Sequence, residues 1–164
     1  MKKSNIIAVA FFMLLPVSLI AQTIPNIEGV KMKDSVSWVR AEGKVLDCYD
    51  YLFKTTCVEN AESLALSDFC LNWMSASPQT PCGWNKDIYM VLETNQGLLQ
   101  RYFAAMAKVA IESHPDKCTE LQYQALCLVL DYALDKNHEA KITKKIQKLI
   151  DLREKNQLMD FVRR

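Results

Sequence analysis

From Ser35 to Val162 apolar residues recur at three- and four-residue steps with few breakers between them, and this spacing confines the chain to helices. The whole sequence holds four glycines and five prolines, too few for a turn-rich β-sandwich or a disordered segment. No stretch alternates apolar and polar residues for long enough to define a strand. The expected fold is all-α: five or six helices in stacked antiparallel hairpins, a helical bundle or short solenoid-like stack stapled by disulfides.

A first helix is expected after Asp34 or Ser35, whose side chains can accept hydrogen bonds from the free N–H groups of the first turn. Val36, Val39, Gly43, Leu46 and Phe53 define one stripe, read here as buried, with Gly43 admitting a neighbouring helix. Asn60 caps a second helix in which Leu66, Phe69, Cys70 and Trp73 share a face. Pro78 and Pro81 stop it, because proline lacks the N–H and its ring clashes with the preceding turn. Helix resumes near Lys86, and an internal cap at residues 94–97 restarts it into the run Leu99, Tyr102, Phe103, Met106, Val109 and Ala110. His114-Pro115-Asp116 ends that run. The next helix carries Leu121, Leu128, Leu130 and Leu134, is apolar almost all round, and is expected to be the central one. The final helix presents Ile142, Ile146, Leu149 and Ile150 on one face and Lys141, Lys144, Lys145 and Lys148 away from it, with residues 158–162 as a closing turn. Hairpins at residues 35–76 and 98–136 hint at duplication, but the Trp, Leu-Gly and Tyr positions of a tetratricopeptide repeat are not present at its period.

The N-terminus gives an address. Lys2 and Lys3, the apolar stretch from Ile6 to Ile20 broken by Pro16, and Ala21 before polar residues have the pattern of a secretory signal peptide over residues 1–21. Residues 22–34 then form an irregular lead-in, and residues 35–164 a single helical domain of ordinary size. The expected location is periplasmic or secreted, with no transmembrane span after signal removal. Residues 22–136 carry ten Lys and Arg against fifteen Asp and Glu, whereas residues 137–164 carry eight against four. An acidic body with a basic tail at near-neutral net charge points to intramolecular docking or a solvated helix face, and away from nucleic acid.

All six cysteines follow the expected cut, so they meet an oxidising compartment. Six allow fifteen complete pairings. Cys48 and Cys57 would lie about 13 Å apart along one helix, beyond the roughly 7 Å that a disulfide spans between α-carbons. Cys48 and Cys70, nearly equidistant from the connection near Glu59, face each other in an antiparallel hairpin and form the favoured pair. Cys57 with Cys118 and Cys82 with Cys127 complete the set. No Cys-x-x-Cys, haem-attachment or zinc-finger spacing is present, and no cofactor or metal is expected.

Catalytic motifs are equally scarce. His114 and His138 are the only histidines; each sits near a helix boundary, where the helix dipole accounts for a basic residue without further function. His114 with Asp116 or Cys118 is a conceivable set, as are the helix-surface pairs Asp47 and Asp50 or Asp131 and Asp135. None sits in a nucleophile elbow, metalloprotease helix or phosphate loop. The lysines of the last helix, a conceivable contact for anionic lipid or polysaccharide, read as a solvated face. The rigid loop containing Pro78, Pro81 and Trp84 is the candidate binding feature, with two readings: Trp84 tucks beneath it and closes the core, the commoner fate of tryptophan, or presents a preorganised apolar anchor.

The expected function is therefore a non-catalytic module that binds another envelope or extracellular protein. The alternatives are a protective inhibitor of a wall-degrading enzyme or toxin and, less favoured, an enzyme whose site is assembled from separate helices.

Overall fold

The computed structural model describes residues 23–76 and 82–164. The expected signal peptide and both loop prolines, Pro78 and Pro81, lie outside the described residues. Seven α-helices and one 3₁₀ turn, with no strand, are found among them: α1 (Ser35–Lys54), α2 (Ala61–Ala76), α3 (Lys86–Leu92), α4 (Gln96–Ser113), α5 (Cys118–Leu134), the 3₁₀ turn (Lys136–His138), α6 (Lys144–Glu154) and α7 (Leu158–Val162). The short α3 and α7 carry the number past six. The fold is all-α, built on the antiparallel hairpins α1–α2 and α4–α5.

Local chemistry sets the helix starts. The Asp34 carboxylate accepts from Ser37 N–H at 2.8 Å while Ser37 Oγ accepts from Asp34 N–H at 3.0 Å, a reciprocal cap that satisfies two otherwise free donors. The bond from the Ser37 N–H holds the Asp34 carboxyl below its ordinary pKa. Asn60 and Ser63 repeat the arrangement at α2. Asn85, Asn95 and Thr143 cap α3, α4 and α6 through their side-chain oxygens. At the end of α4, His114 adopts the left-handed conformation, φ 43°, that terminates helices.

The central element is α4, not α5. It packs against α1, α2, α3 and α5, and from Gly97 to Ala107 only Phe103 is less than buried. Ala104, Ala105, Ala107 and Ala110 keep its surface low, which lets its neighbours approach closely. On α5, Leu134 is instead exposed.

Two further sequence expectations are overturned. On α1 the buried stripe is Ala41, Val45, Cys48 and Leu52, while Val36 and Val39 are more than half exposed and Gly43 is exposed. A shift of two residues turns a helix by about 200°, so the first half of the expected stripe faces solvent. Phe53 at its far end still packs against the core, stacked on Tyr49 and edge-on to Tyr132. The face carrying the small Ala41 and Cys48 seats against the bundle. No neighbour lies within 4 Å of where a Gly43 side chain would begin. Gly97 is the glycine whose missing side chain matters, because a Cβ there would sit 2.8 Å from Cys57 Sγ. Ile142 precedes α6 and is exposed rather than sharing its buried face.

Tyr102 is buried in α4 and its hydroxyl has no hydrogen-bond partner; burial pushes its ionisation upward. A buried hydroxyl that loses its water without gaining a partner opposes folding. Tyr102→Phe should therefore raise stability by about 1 kcal/mol, read as a higher urea midpoint at unchanged slope. A lower midpoint would mean that the hydroxyl has a partner after all.

Candidate functional site

The chain from Cys82 to Asn85 is held by consecutive tethers. Cys82 is disulfide-bonded to Cys118, the first residue of α5, with α-carbons 5.0 Å apart. One turn further along α5, Gln122 Nε2 donates to the Gly83 carbonyl at 2.8 Å. Asn85 is bound at both ends of its amide: Oδ1 accepts from the N–H groups of Asp87 and Ile88, and Nδ2 donates to the Val162 carbonyl of α7 at 2.9 Å. The backbone on either side of Trp84 is thus tied to α3, α5 and α7.

Trp84 itself does not close the core. It is 53% exposed, with its ring edge-on to Phe103 of α4 at 5.2 Å between centroids. That contact fixes the indole on one side and leaves the rest to solvent. An open groove of about 410 Å³ runs beside it, lined in part by Lys86, Thr119, Gln122, Val162 and Arg164. The arrangement offers an aromatic plate, neighbouring hydrogen-bonding groups and charge of both signs, from Lys86 and Arg164 and from Asp87.

The remaining cysteines are thiols. The expected Cys57–Cys118 and Cys82–Cys127 pairings are incorrect. Cys57 N–H bonds the His138 carbonyl, beyond the C-terminal end of α5, whereas Cys118 begins that helix; 17 residues of helix put about 25 Å between the two ends. Cys127 stands nine residues past Cys118, about 13 Å along the helix, so Cys82 reaches only the first turn. Cys57 and Cys127 are half-buried, and burial pushes both thiols above their ordinary pKa despite Arg101 and Arg153 nearby. Neither has the electropositive, solvent-open setting of a nucleophilic thiolate. Cys48 and Cys70 do meet across the α1–α2 interface, as reduced side chains in hydrogen-bond contact.

The structure separates the histidine-based candidate sets, whereas Asp47 and Asp50 line one open surface groove together with Lys44 and Lys54. His114 lies exposed at the N-terminal approach to α5 and His138 beyond its opposite end. Cys118 is bonded to Cys82 rather than paired with His114. The His138 ring stacks on Tyr132 at 3.9 Å, with Nδ1 3.0 Å from the Tyr132 carbonyl. Asp47, Asp50 and Asp131 form surface ion pairs with Lys44, Lys54 and Arg153, and Asp135 caps the 3₁₀ turn. Lys145 donates to the Met90 carbonyl; Lys141, Lys144 and Lys148 are solvent-exposed. No group of three or more His, Cys, Asp or Glu placed to hold a metal occurs among the described residues. No helix among them is long and apolar enough to cross a membrane.

One residue escaped the sequence reading. Arg101, in the first half of α4, is fully buried and forms no ion pair with a carboxylate among the described residues. Nη1 donates to the Gly97 carbonyl at 2.9 Å and Nη2 to the Thr56 carbonyl at 2.7 Å, while the guanidinium lies 4.6 Å from the Tyr132 ring centre. Tyr132 OH donates to the Thr55 carbonyl at 2.6 Å. Arg101 therefore directs its charge at carbonyls of two segments, Gly97 in its own helix and Thr55 and Thr56 just past the C-terminal end of α1. Its signal in the sequence is an arginine set, with Gln100, between the apolar pairs Leu98-Leu99 and Tyr102-Phe103.

No protein-family model matches the chain, and comparison with curated proteins and with solved structures gives no match.

Proposed function

We propose that this chain is an exported helical domain that acts by binding another envelope or extracellular protein, with Trp84 as the anchor of its contact surface. The observation that carries the reading is a half-exposed tryptophan on backbone fixed by a disulfide and by the Gln122 and Asn85 amides. Burying such a ring on binding removes apolar area from water while little conformational entropy remains to be lost. The N-terminal secretion pattern supports an exported partner, and the separation of the two histidines from each other and from the Asp47–Asp50 pair favours recognition over catalysis.

The test compares wild type with Trp84→Ala in capture of crosslinked partners from the producing cells, alongside thermal melts of both proteins. Partner recovery should fall about tenfold or more, as for an interface hot spot. The melt should shift by only a few degrees, since the substitution removes one aromatic edge contact, about 1 kcal/mol. Undiminished capture by a folded variant removes Trp84 from the contact and the reading with it.

A further inference from the structure

We propose that Cys48 and Cys70 are a second, interior cross-linking site, oxidised to a disulfide while the chain is folding, by exchange with a protein or small-molecule disulfide. This proposal does not depend on what the domain binds. Both residues are fully buried, Cys48 on the inner stripe of α1 and Cys70 on the facing side of α2. The Cys70 sulfur lies 3.9 Å from the Val45 carbonyl, one turn before Cys48, and the two thiols are in hydrogen-bond contact. The other two thiols are differently placed: Cys57 packs against Asn95 and Gly97, and Cys127 beside Tyr123 and Arg153.

The chemistry balances as two successive displacements. The thiolate of one cysteine attacks a sulfur of the donor disulfide, forming a mixed disulfide and releasing one donor thiol. The second cysteine then attacks the protein sulfur of that intermediate, closing Cys48–Cys70 and releasing the other donor thiol. The two cysteine protons end on the two donor thiols; the protein pair is oxidised and the donor reduced.

Burial dictates when this happens. Attack needs a thiolate and a path for the donor, and the finished core supplies neither: no solvent reaches either sulfur, and the Cys70 thiol is held well above its ordinary pKa by its contact with Cys48 and by burial. Closure thus belongs to the open chain, and reversal requires the α1–α2 hairpin to part. Cys82 and Cys118, both only partly buried, remain open to exchange in the folded protein.

The full chain, reduced in denaturant, would be refolded in mixed reduced and oxidised glutathione, blocked with iodoacetamide and mapped without reductant. The expected map shows Cys48 linked to Cys70 and Cys82 to Cys118, with Cys57 and Cys127 alkylated. When the chain is folded first and oxidised glutathione added afterwards, closure of Cys48–Cys70 should be at least about tenfold slower than that of Cys82–Cys118. Repeating the map on Cys57→Ser with Cys127→Ser removes the bystander thiols and should give the same two links. Cys48 and Cys70 recovered as thiols in either chain, or linked to any other cysteine, would overturn the proposal.

Discussion

Arg101→Ala should cost the domain about 4 kcal/mol, and Arg101→Lys nearly as much, whereas Arg101→Met should cost about half that. The order follows from what each change leaves behind. Alanine removes the charge-assisted bonds to Gly97 and Thr56 and opens a void beneath Tyr132. Lysine keeps a full positive charge in a buried site, yet cannot reach the Gly97 carbonyl and the Thr55 and Thr56 carbonyls at once as the planar guanidinium does. Methionine fills much of the space and brings no charge to desolvate. The acceptors also soften its loss: the Thr55 carbonyl keeps the Tyr132 hydroxyl and the Thr56 carbonyl keeps the Val58 N–H. Urea midpoints for the three variants decide the matter. Lysine more stable than methionine would mean that charge, rather than fork geometry and volume, is what the site requires.

The same junction shows what could be read in advance. Helix class, the caps at Asp34 and Asn60, the internal cap within residues 94–97 (Asn95 in the structure) and the helix end at residues 114–116 follow from local chemistry: a side-chain oxygen either meets the first-turn N–H groups or does not. Which face of α1 turns inward was not legible. Two stripes at helical spacing exist, and both carry apolar side chains: Val36 and Val39 on the outer one, Val45 and Leu52 on the inner one. The choice rests on how closely α4 and α2 approach, a property of their alanines and serines rather than of α1. Likewise α5 is more apolar along its length, yet α4 is central because a small-residue surface admits more neighbours than a bulky one. The favoured position of Cys48 opposite Cys70 came from hairpin symmetry alone, while Cys82 lies in a connection whose path no periodicity describes. Which of the two readings of Trp84 holds was not legible for the same reason: its exposure is set by backbone held through Gln122 and Asn85 and by the ring of Phe103.

Replacing Cys82 and Cys118 together by serine should lower stability by about 3 kcal/mol, and the melting temperature by roughly 10 °C for a domain of this size. The residues are 36 apart in sequence, so the bond removes a large loop's worth of freedom from the unfolded chain. If that is the main effect, the unfolded state expands when the bond is cut and the urea slope rises as the midpoint falls. If the bond instead acts by holding residues 82–85 against α5, the slope stays constant and the loss appears as faster amide exchange near Trp84. Gln122 separates these contributions: Gln122→Ala frees the Gly83 carbonyl while leaving the covalent loop closed, so it should speed local exchange with little change in midpoint. A serine pair that lowers neither midpoint nor local protection would show that Gln122 and Asn85 hold the segment without the disulfide. The rigidity argued for the tryptophan would then belong to hydrogen bonds, and would persist in a reducing compartment.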